Sequence, residues 1–279
     1  MVNDAVTISE RTIARFKKER RGTGEGRFYV PGRTLREMPT VGRTYRFSCS
    51  RCGGRQIVLP SDIALAAFLE EHWAASTCDV KPFVPLLDVD RTVSIGKQLG
   101  VKHPLFKDGS PRILFTDLMV CKREWGKYVW TAVEIVSVRS GTRKATIENQ
   151  IKAEFWREAC ISSRVAHSSG LDTHRSINLW LLFGFAEQIN AFGVGDRECL
   201  VHRAILHRLL ANRADWLSDI RDAVARDLGL TQAECTRGVL QLIATRTIEC
   251  SLDVPRLLAQ SARNICARDW TIALAAAKK

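Results

Sequence analysis

In the first third of the chain, the apolar residues are spaced first as in a helix, then as in β-strands, and then again as in a helix. Positions 7–20 predict a short amphipathic helix, and a glycine- and proline-rich run over 22–32 ends it. Residues 44–48 and 55–59 alternate as a β-hairpin would, and 60–73 opens with capping residues and continues as a helix.

The middle of the chain carries the strongest strand signals. Residues 112–121 and 128–138 are rich in β-branched and aromatic side chains, and the short stretch between them predicts a hairpin. Residues 79–104 are interrupted by prolines and predict a mixture of extended and short helical pieces, and 142–159 predicts a polar helix. Helices before and after paired strands indicate a mixed α/β core.

Beyond Gly170 the pattern becomes almost entirely helical. We therefore expect two domains, 1–170 and 171–279, with the boundary between 168 and 176. Residues 218–229 predict a capped helix that ends on glycine, and a second helix follows after a short turn. This order is typical of a helix–turn–helix, here winged, although a plain three-helix bundle explains it equally well.

Composition places the chain among ordinary globular proteins. It has 279 residues, 46% hydrophobic and 26% charged, which excludes disorder, collagen and coiled coil. The start lacks a signal-peptide pattern, and the apolar stretch 177–195 contains polar residues that argue against a membrane span. Nine scattered cysteines suit a reducing compartment, so we expect a cytoplasmic protein.

Positive charge is concentrated near the N-terminus. The net charge is +12, and residues 1–60, called here the basic arm, contribute +8 of it. Such a segment predicts contact with a polyanion, most often nucleic acid, and the alternative is a solubilising surface. The candidate DNA-binding residues in the arm and on the predicted second helix of the C-terminal domain are Arg20, Arg21, Arg27, Arg43, Arg46, Arg237 and Arg246.

Two acidic residues lie in the middle of the predicted hydrophobic strands. Asp117 and Glu134 would be costly there unless they are paired or bind a cation, and on adjacent strands they can converge on one divalent metal. This order of strand, acid, turn, strand and acid is the core of the PD-(D/E)xK restriction-endonuclease-like arrangement. That arrangement has lysine two residues after the second acid, where this chain has Val136. The alternative is that both acids face solvent.

One cysteine pair has the spacing of a zinc knuckle. Cys49 and Cys52 stand in CSRCGG, but a structural zinc site needs four ligands, and only distant residues such as Cys78, Cys121 or His103 remain to complete it. We therefore expect a hairpin turn that carries two cysteines rather than a Zn²⁺ site.

Several multi-residue motifs resemble the TnsA family, the endonuclease subunits of heteromeric TnsA/TnsB transposases. Residues 21–46, RGTGEGRFYVPGRTLREMPTVGRTYR, are similar to the family's RGxGxGxxYxPWLxVxEVPSxGRSHR. PSDIALAAFLEEHW resembles SDLELAVFLxxEW, and LGVKHPLFKDGSPRILFTDLMV resembles GIKHPxxxxxxxxxSTDFLV. The resemblance covers about residues 10–165 in order, and the C-terminal half matches only in its helical, winged-helix-like architecture.

The resemblance transfers the family's active site only in part. Asp117 falls on the metal-binding aspartate, and Glu134 falls on the second metal-side position. The family's helix glutamate corresponds to Ala64 and its lysine to Val136. Residues that could substitute for the missing side chains from nearby helices are Asp62, Glu70, Glu71, Lys144 and Lys152.

Three hypotheses follow from the resemblance and the basic arm. The first is a TnsA-like subunit that binds transposon-end double-stranded DNA, a TnsB-like transposase and a TnsC-like ATPase, with 5′-strand cleavage impaired or lost. The second is an active Mg²⁺-dependent endonuclease that cuts at transposon 5′ ends, with Asp117 and Glu134 as metal ligands. The third is a winged-helix transcriptional regulator. None of the three needs a membrane.

Overall fold

The computed structural model describes residues 6–38, 42–137, 143–171 and 173–267. The chain divides into two compact units, Met1–Leu171 and Asp172–Lys279. Among the described residues, no helix is both long and apolar enough to cross a bilayer.

The N-terminal unit begins with the helix that the sequence predicts. Helix α1 spans Ile8–Lys18 and is capped by Thr7, whose side chain and that of Glu10 form a capping box. Strands β1 (Tyr45–Cys49) and β2 (Arg55–Leu59) then pair antiparallel as a separate two-stranded sheet. These predictions of helix and hairpin are confirmed.

The central sheet of this unit contains four strands in the order β3-β4-β5-β6. Their bounds are β3 Thr77–Leu86, β4 Leu114–Glu124, β5 Lys127–Val136 and β6 Ser162–His167. Neighbouring strands are antiparallel except for β5 and β6, which run parallel. The predicted hairpin is therefore β4 and β5, whereas the sequence did not reveal β6, because its side chains are mostly exposed and give no hydrophobic pattern.

Three helices accompany this sheet: α2 (Asp62–Trp73), α3 (Val89–Gln98) and α4 (Arg143–Glu158). Helix α4 is the crossover that the parallel pairing of β5 and β6 requires. It packs with α3 onto the sheet through a cluster of four buried side chains, Leu86, Ile95, Leu114 and Ile151. This packing fixes which side of α4 faces strand β4.

The C-terminal unit is mostly helical, as expected. Its elements are α5 Thr173–Phe192, α6 Asp196–Ala211, α7 Leu217–Leu228, α8 Gln232–Ala244, β7 Ile248–Glu249 and β8 Cys266–Ala267. Helix α7 ends on Gly229 in the left-handed conformation, and α8 follows after Thr231, its N-cap. Strands β7 and β8 form a two-residue antiparallel ladder. The helix–turn–helix order is present, while the winged-helix assignment stays a prediction.

Candidate active site

Strands β4 and β5 bring the two predicted acids to the same end of their ladder. Leu118 pairs with Val133, so Asp117 and Glu134 are the next residues on each strand. The Oδ2 atom of Asp117 accepts a 2.8 Å hydrogen bond from the backbone N–H of Ile135. The aspartate is thus held against β5 beside Glu134.

Glu134 is buried and forms an ion pair with a lysine from helix α4. Its carboxylate is 3% exposed, and its Oε2 atom accepts a hydrogen bond from Lys152 Nζ. Lys152 is itself buried and also donates to the backbone oxygen of Phe115 at 3.2 Å. The sequence raised Lys152 as a substitute for the missing strand lysine, and the structure brings it to the second acid.

Helical spacing explains why Lys152 reaches this point. Glu148, Lys152 and Trp156 are four residues apart and therefore lie along one face of α4. Trp156 Nε1 donates a 2.7 Å hydrogen bond to the Thr116 hydroxyl on β4, which fixes that face against the strand. This polar stripe, which sequence reasoning did not use, would have identified Glu148 as a candidate.

A cavity of about 160 Å³ opens beside the two strands and α4. Its ionisable lining side chains are Asp117, Glu148, Lys152, Arg33 and Arg112, and Val136 lines it as well. Carboxylates and cations therefore share one small space. Arg33 and Arg112 are not indicated by the sequence, because nothing in their local pattern distinguishes them from surface residues.

Electrostatics in the cavity depend on burial and on neighbouring charges. Burial raises the pKa of Glu134 above the usual carboxyl value, the charge of Lys152 opposes this shift, and Asp117 adds to it. Burial lowers the pKa of Arg33, while the negative charge of Asp117 opposes that change. The Arg33 guanidinium also lies 4.1 Å from the centre of the Phe115 ring, which holds it in place.

The residues present suit a hard divalent cation. The Oε1 atom of Glu134 is buried without a hydrogen-bond partner among the described residues. Asp117 and Glu148 add carboxylate oxygens, the ligand type that Mg²⁺ prefers. Asp117 and Glu134 would thus hold the ion, whereas Glu148 lines the same cavity without forming a group of three converging carboxylates with them.

The two replaced family positions differ in their surroundings. Val136 lines the same cavity as Lys152. Ala64 is buried within α2 and is not among the lining residues. Val136, Lys152 and Glu148 thus line one cavity, whereas Ala64 lies outside its lining.

The other substitutes considered from the sequence are engaged elsewhere. Asp62 accepts a hydrogen bond from the Tyr45 hydroxyl, and Glu71 pairs with Arg164 and Lys122. Neither of these acids, nor Glu70, lines the cavity. The side chain of Lys144 lies outside the described residues.

One predicted DNA-binding arginine has a structural role instead. Arg21 is 7% exposed, pairs with Glu19 and Glu37, donates to the backbone oxygen of Gly32, and stacks over Phe16. Its assignment as a phosphate contact is therefore corrected, because the guanidinium is enclosed and its donors are used.

The remaining predicted DNA contacts stay predictions. The arm residues with exposed side chains are Arg20, Arg27, Arg43 and Arg46. In the C-terminal unit, Arg237 is half exposed and lies 3.1 Å from Glu198, while Arg246 is partly buried and follows α8 with a positive φ of 59°.

Comparison with known proteins agrees with these features. No protein-family model matches the chain. The transposon Tn7 transposition protein TnsA of Escherichia coli is 30% identical over 199 residues, which are 70% of this chain and 71% of that protein. The mixed α/β fold, with its central mixed sheet, is consistent with a TnsA-like nuclease fold. On this identity and coverage, the chain belongs to the TnsA family.

Proposed function

We propose that this chain is an active endonuclease subunit of a heteromeric DNA transposase, and that it hydrolyses phosphodiester bonds at transposon 5′ ends with Mg²⁺. Family membership supports the role in transposition. One observation carries the proposal of cleavage: Lys152 pairs with Glu134 beside Asp117, although the family's strand position for lysine holds Val136. A different element thus supplies the charge.

The chemistry follows from what each side chain in the cavity can do. Bound Mg²⁺ supplies positive charge at the scissile phosphate. The Ile135 N–H holds one carboxylate oxygen of Asp117, and this contact orients the other oxygen. Lys152 keeps a fixed positive charge beside Glu134. Arg33 and Arg112 line the same cavity and offer guanidinium donors for phosphate oxygens.

The proposed partners are those of the family. The exposed arginines of the basic arm support binding to the DNA backbone. We assign transposon-end DNA and a TnsB-like transposase as partners of the complex, and a TnsC-like ATPase as the partner of the C-terminal unit. The regulator hypothesis is not carried forward, because the TnsA relationship accounts for the N-terminal unit.

A second candidate is a subunit that keeps the fold but no longer cuts. The observation in its favour is that Lys152 already neutralises Glu134, while Ala64 cannot serve as a metal ligand. Such a subunit would leave the 5′ strand intact, so that transposition would be replicative and yield cointegrates.

A nicking assay with TnsB-like and TnsC-like partners and Mg²⁺ separates the two candidates. We expect 5′-strand cuts at the transposon ends by the wild-type complex and a loss of at least about 10²-fold in Asp117→Ala. Lys97→Met, at an exposed lysine of α3, is the control and should cut normally. Equal cutting by Asp117→Ala and wild type would reject this site, and cointegrates alone would favour the inactive subunit.

A further inference from the structure

The turn between β1 and β2 folds two cysteines into a tight, buried loop. Its sequence is CSRCGG, and the N–H groups of Cys52 and Gly54 both donate to the backbone oxygen of Cys49, at 3.1 and 2.9 Å. Gly53 and Gly54 have φ values of +72° and +75°, which glycine adopts without strain. The side chains of Cys49 and Cys52 are 0% and 1% exposed.

A histidine from another element lies beside one of the two cysteines. His72 lies in the last turn of α2 and is buried, with its ring stacked on Phe68 at 5.7 Å between centroids. The Cys49 thiol interacts through side-chain hydrogen bonds with both Cys52 and His72. Cys49 therefore contacts both a second sulfur and an imidazole in the buried interior of the N-terminal unit.

Sequence spacing did not reveal this histidine. His72 stands twenty residues after Cys52, on a helix, and no short motif connects them. His103, considered from the sequence as a further ligand, instead contacts the Thr92 hydroxyl and the backbone oxygen of Pro104. His72 is therefore brought to the cysteine-bearing turn by the packing of α2 against the hairpin, which a short sequence motif does not show.

A cross-link at this point would stabilise the β1–β2 hairpin. Strands β1 and β2 have five residues each and form a sheet of their own. An isolated two-stranded hairpin is marginally stable in water, and small units of this kind are commonly fixed by a metal. Both cysteines are free thiols, so no disulfide supplies the link.

We propose that Cys49, Cys52 and His72 bind one Zn²⁺ ion, which fastens the β1–β2 hairpin to the C-terminal end of α2. Thiolate sulfur and imidazole nitrogen are the ligands that Zn²⁺ prefers, and the Cys52 thiol would turn toward His72 when the ion binds at distances of about 2.0–2.3 Å. Three ligands leave one tetrahedral position for a further donor. The role we assign to the ion is to hold the hairpin against α2, and it does not depend on the proposed nuclease activity.

Metal analysis of untagged protein, purified under reducing conditions without chelator, tests this site. We expect about one zinc per chain in the wild type and in Cys160→Ser, which alters an exposed cysteine. Cys49→Ser, Cys52→Ser and His72→Ala should each lower the zinc content at least about tenfold. Full zinc content in all three variants would overturn the assignment.

Cobalt substitution gives a readout that does not depend on the folding of variants. Wild-type protein loaded with Co²⁺ should show thiolate-to-metal charge transfer in the near ultraviolet and the strong visible bands of a tetrahedral site. A wild-type chain that takes up neither Zn²⁺ nor Co²⁺ at micromolar concentrations, while its far-ultraviolet circular dichroism shows it folded, would also refute the proposal.

Discussion

The basic arm and helix α4 differ in how they use their charged residues, and neither does so as its sequence indicates. The arm holds most of the net positive charge, yet Arg21 within it is enclosed by Glu19, Glu37 and the Phe16 ring. Helix α4 has a mixed, polar sequence, yet its Lys152 enters the cavity that contains Asp117. Charge density along a chain thus says less about chemistry than the partners that each charged group finds.

Both regions use ion pairs, but in different surroundings. Arg21 and Glu37 join parts of the arm, where neighbouring polar groups satisfy the remaining donors and acceptors. Lys152 instead lines the cavity that contains Asp117, and its partner Glu134 has one buried carboxylate oxygen without a hydrogen-bond partner among the described residues. A fully satisfied pair stabilises the fold, whereas an incompletely satisfied one beside a cavity is typical of a functional site.

The largest effect on stability is expected at Lys152. Lys152→Met leaves Glu134 buried without its cation, so the free energy of unfolding should fall by about 3–5 kcal/mol. The double variant Glu134→Gln/Lys152→Met removes both charges and should recover most of this loss. Urea unfolding at neutral pH measures both. An unchanged midpoint in Lys152→Met would show that the pair is not formed in solution.

A smaller, pH-dependent effect is expected in the arm. Burial by itself raises the pKa of Glu37, but hydrogen bonds from Arg21 and Thr34 outweigh it and lower the pKa to about 2. Because the folded-state pKa lies below the unfolded value of 4.5, the stabilisation is complete above about pH 4.5 and disappears as the pH falls toward 2.

Glu37→Gln should therefore lower the free energy of unfolding by about 1–2 kcal/mol at pH 7, a value reduced by solvent screening at this partly exposed side chain. The difference from wild type should shrink as unfolding is measured at successively lower pH. A difference that is the same at pH 7 and pH 3 would contradict the pairing.

The smallest effect concerns the exposed arginines of the arm. Arg20→Gln/Arg27→Gln should weaken binding to transposon-end DNA and reduce the slope of log affinity against log salt by up to about 2, if each arginine contacts one phosphate. Arg21→Gln is the comparison: it should destabilise the arm but leave the slope unchanged. An unaltered slope in the double variant would assign these arginines another role.

Local pattern predicted a large part of the fold. Helix α1, the β1–β2 hairpin, α2 and the β4–β5 hairpin each have a strong hydrophobic period or capping residues, and each forms near the expected positions. Strand β6 has exposed side chains and becomes a strand only through parallel pairing with β5. Its existence depends on tertiary pairing, which a local window does not contain.

The candidate site was predictable to the same extent. Asp117 and Glu134 stand out because acids are costly in apolar strands. Arg33 does not stand out, since a charged loop residue normally faces water, and Glu148 is indicated only by its four-residue spacing from Lys152 and Trp156 on α4. Their place in the cavity follows from how α4 and the arm pack on the sheet.

The most direct test is whether a lysine placed on strand β5 can replace Lys152 of helix α4. Lys152→Met should lower the rate of 5′-end nicking by about 10²-fold, and Val136→Lys in that background should restore most of it, because both positions line the same cavity. Folding is checked by the thermal unfolding midpoint of each variant. Nicking by Lys152→Met at the wild-type rate would contradict the claim that α4 supplies the missing cation.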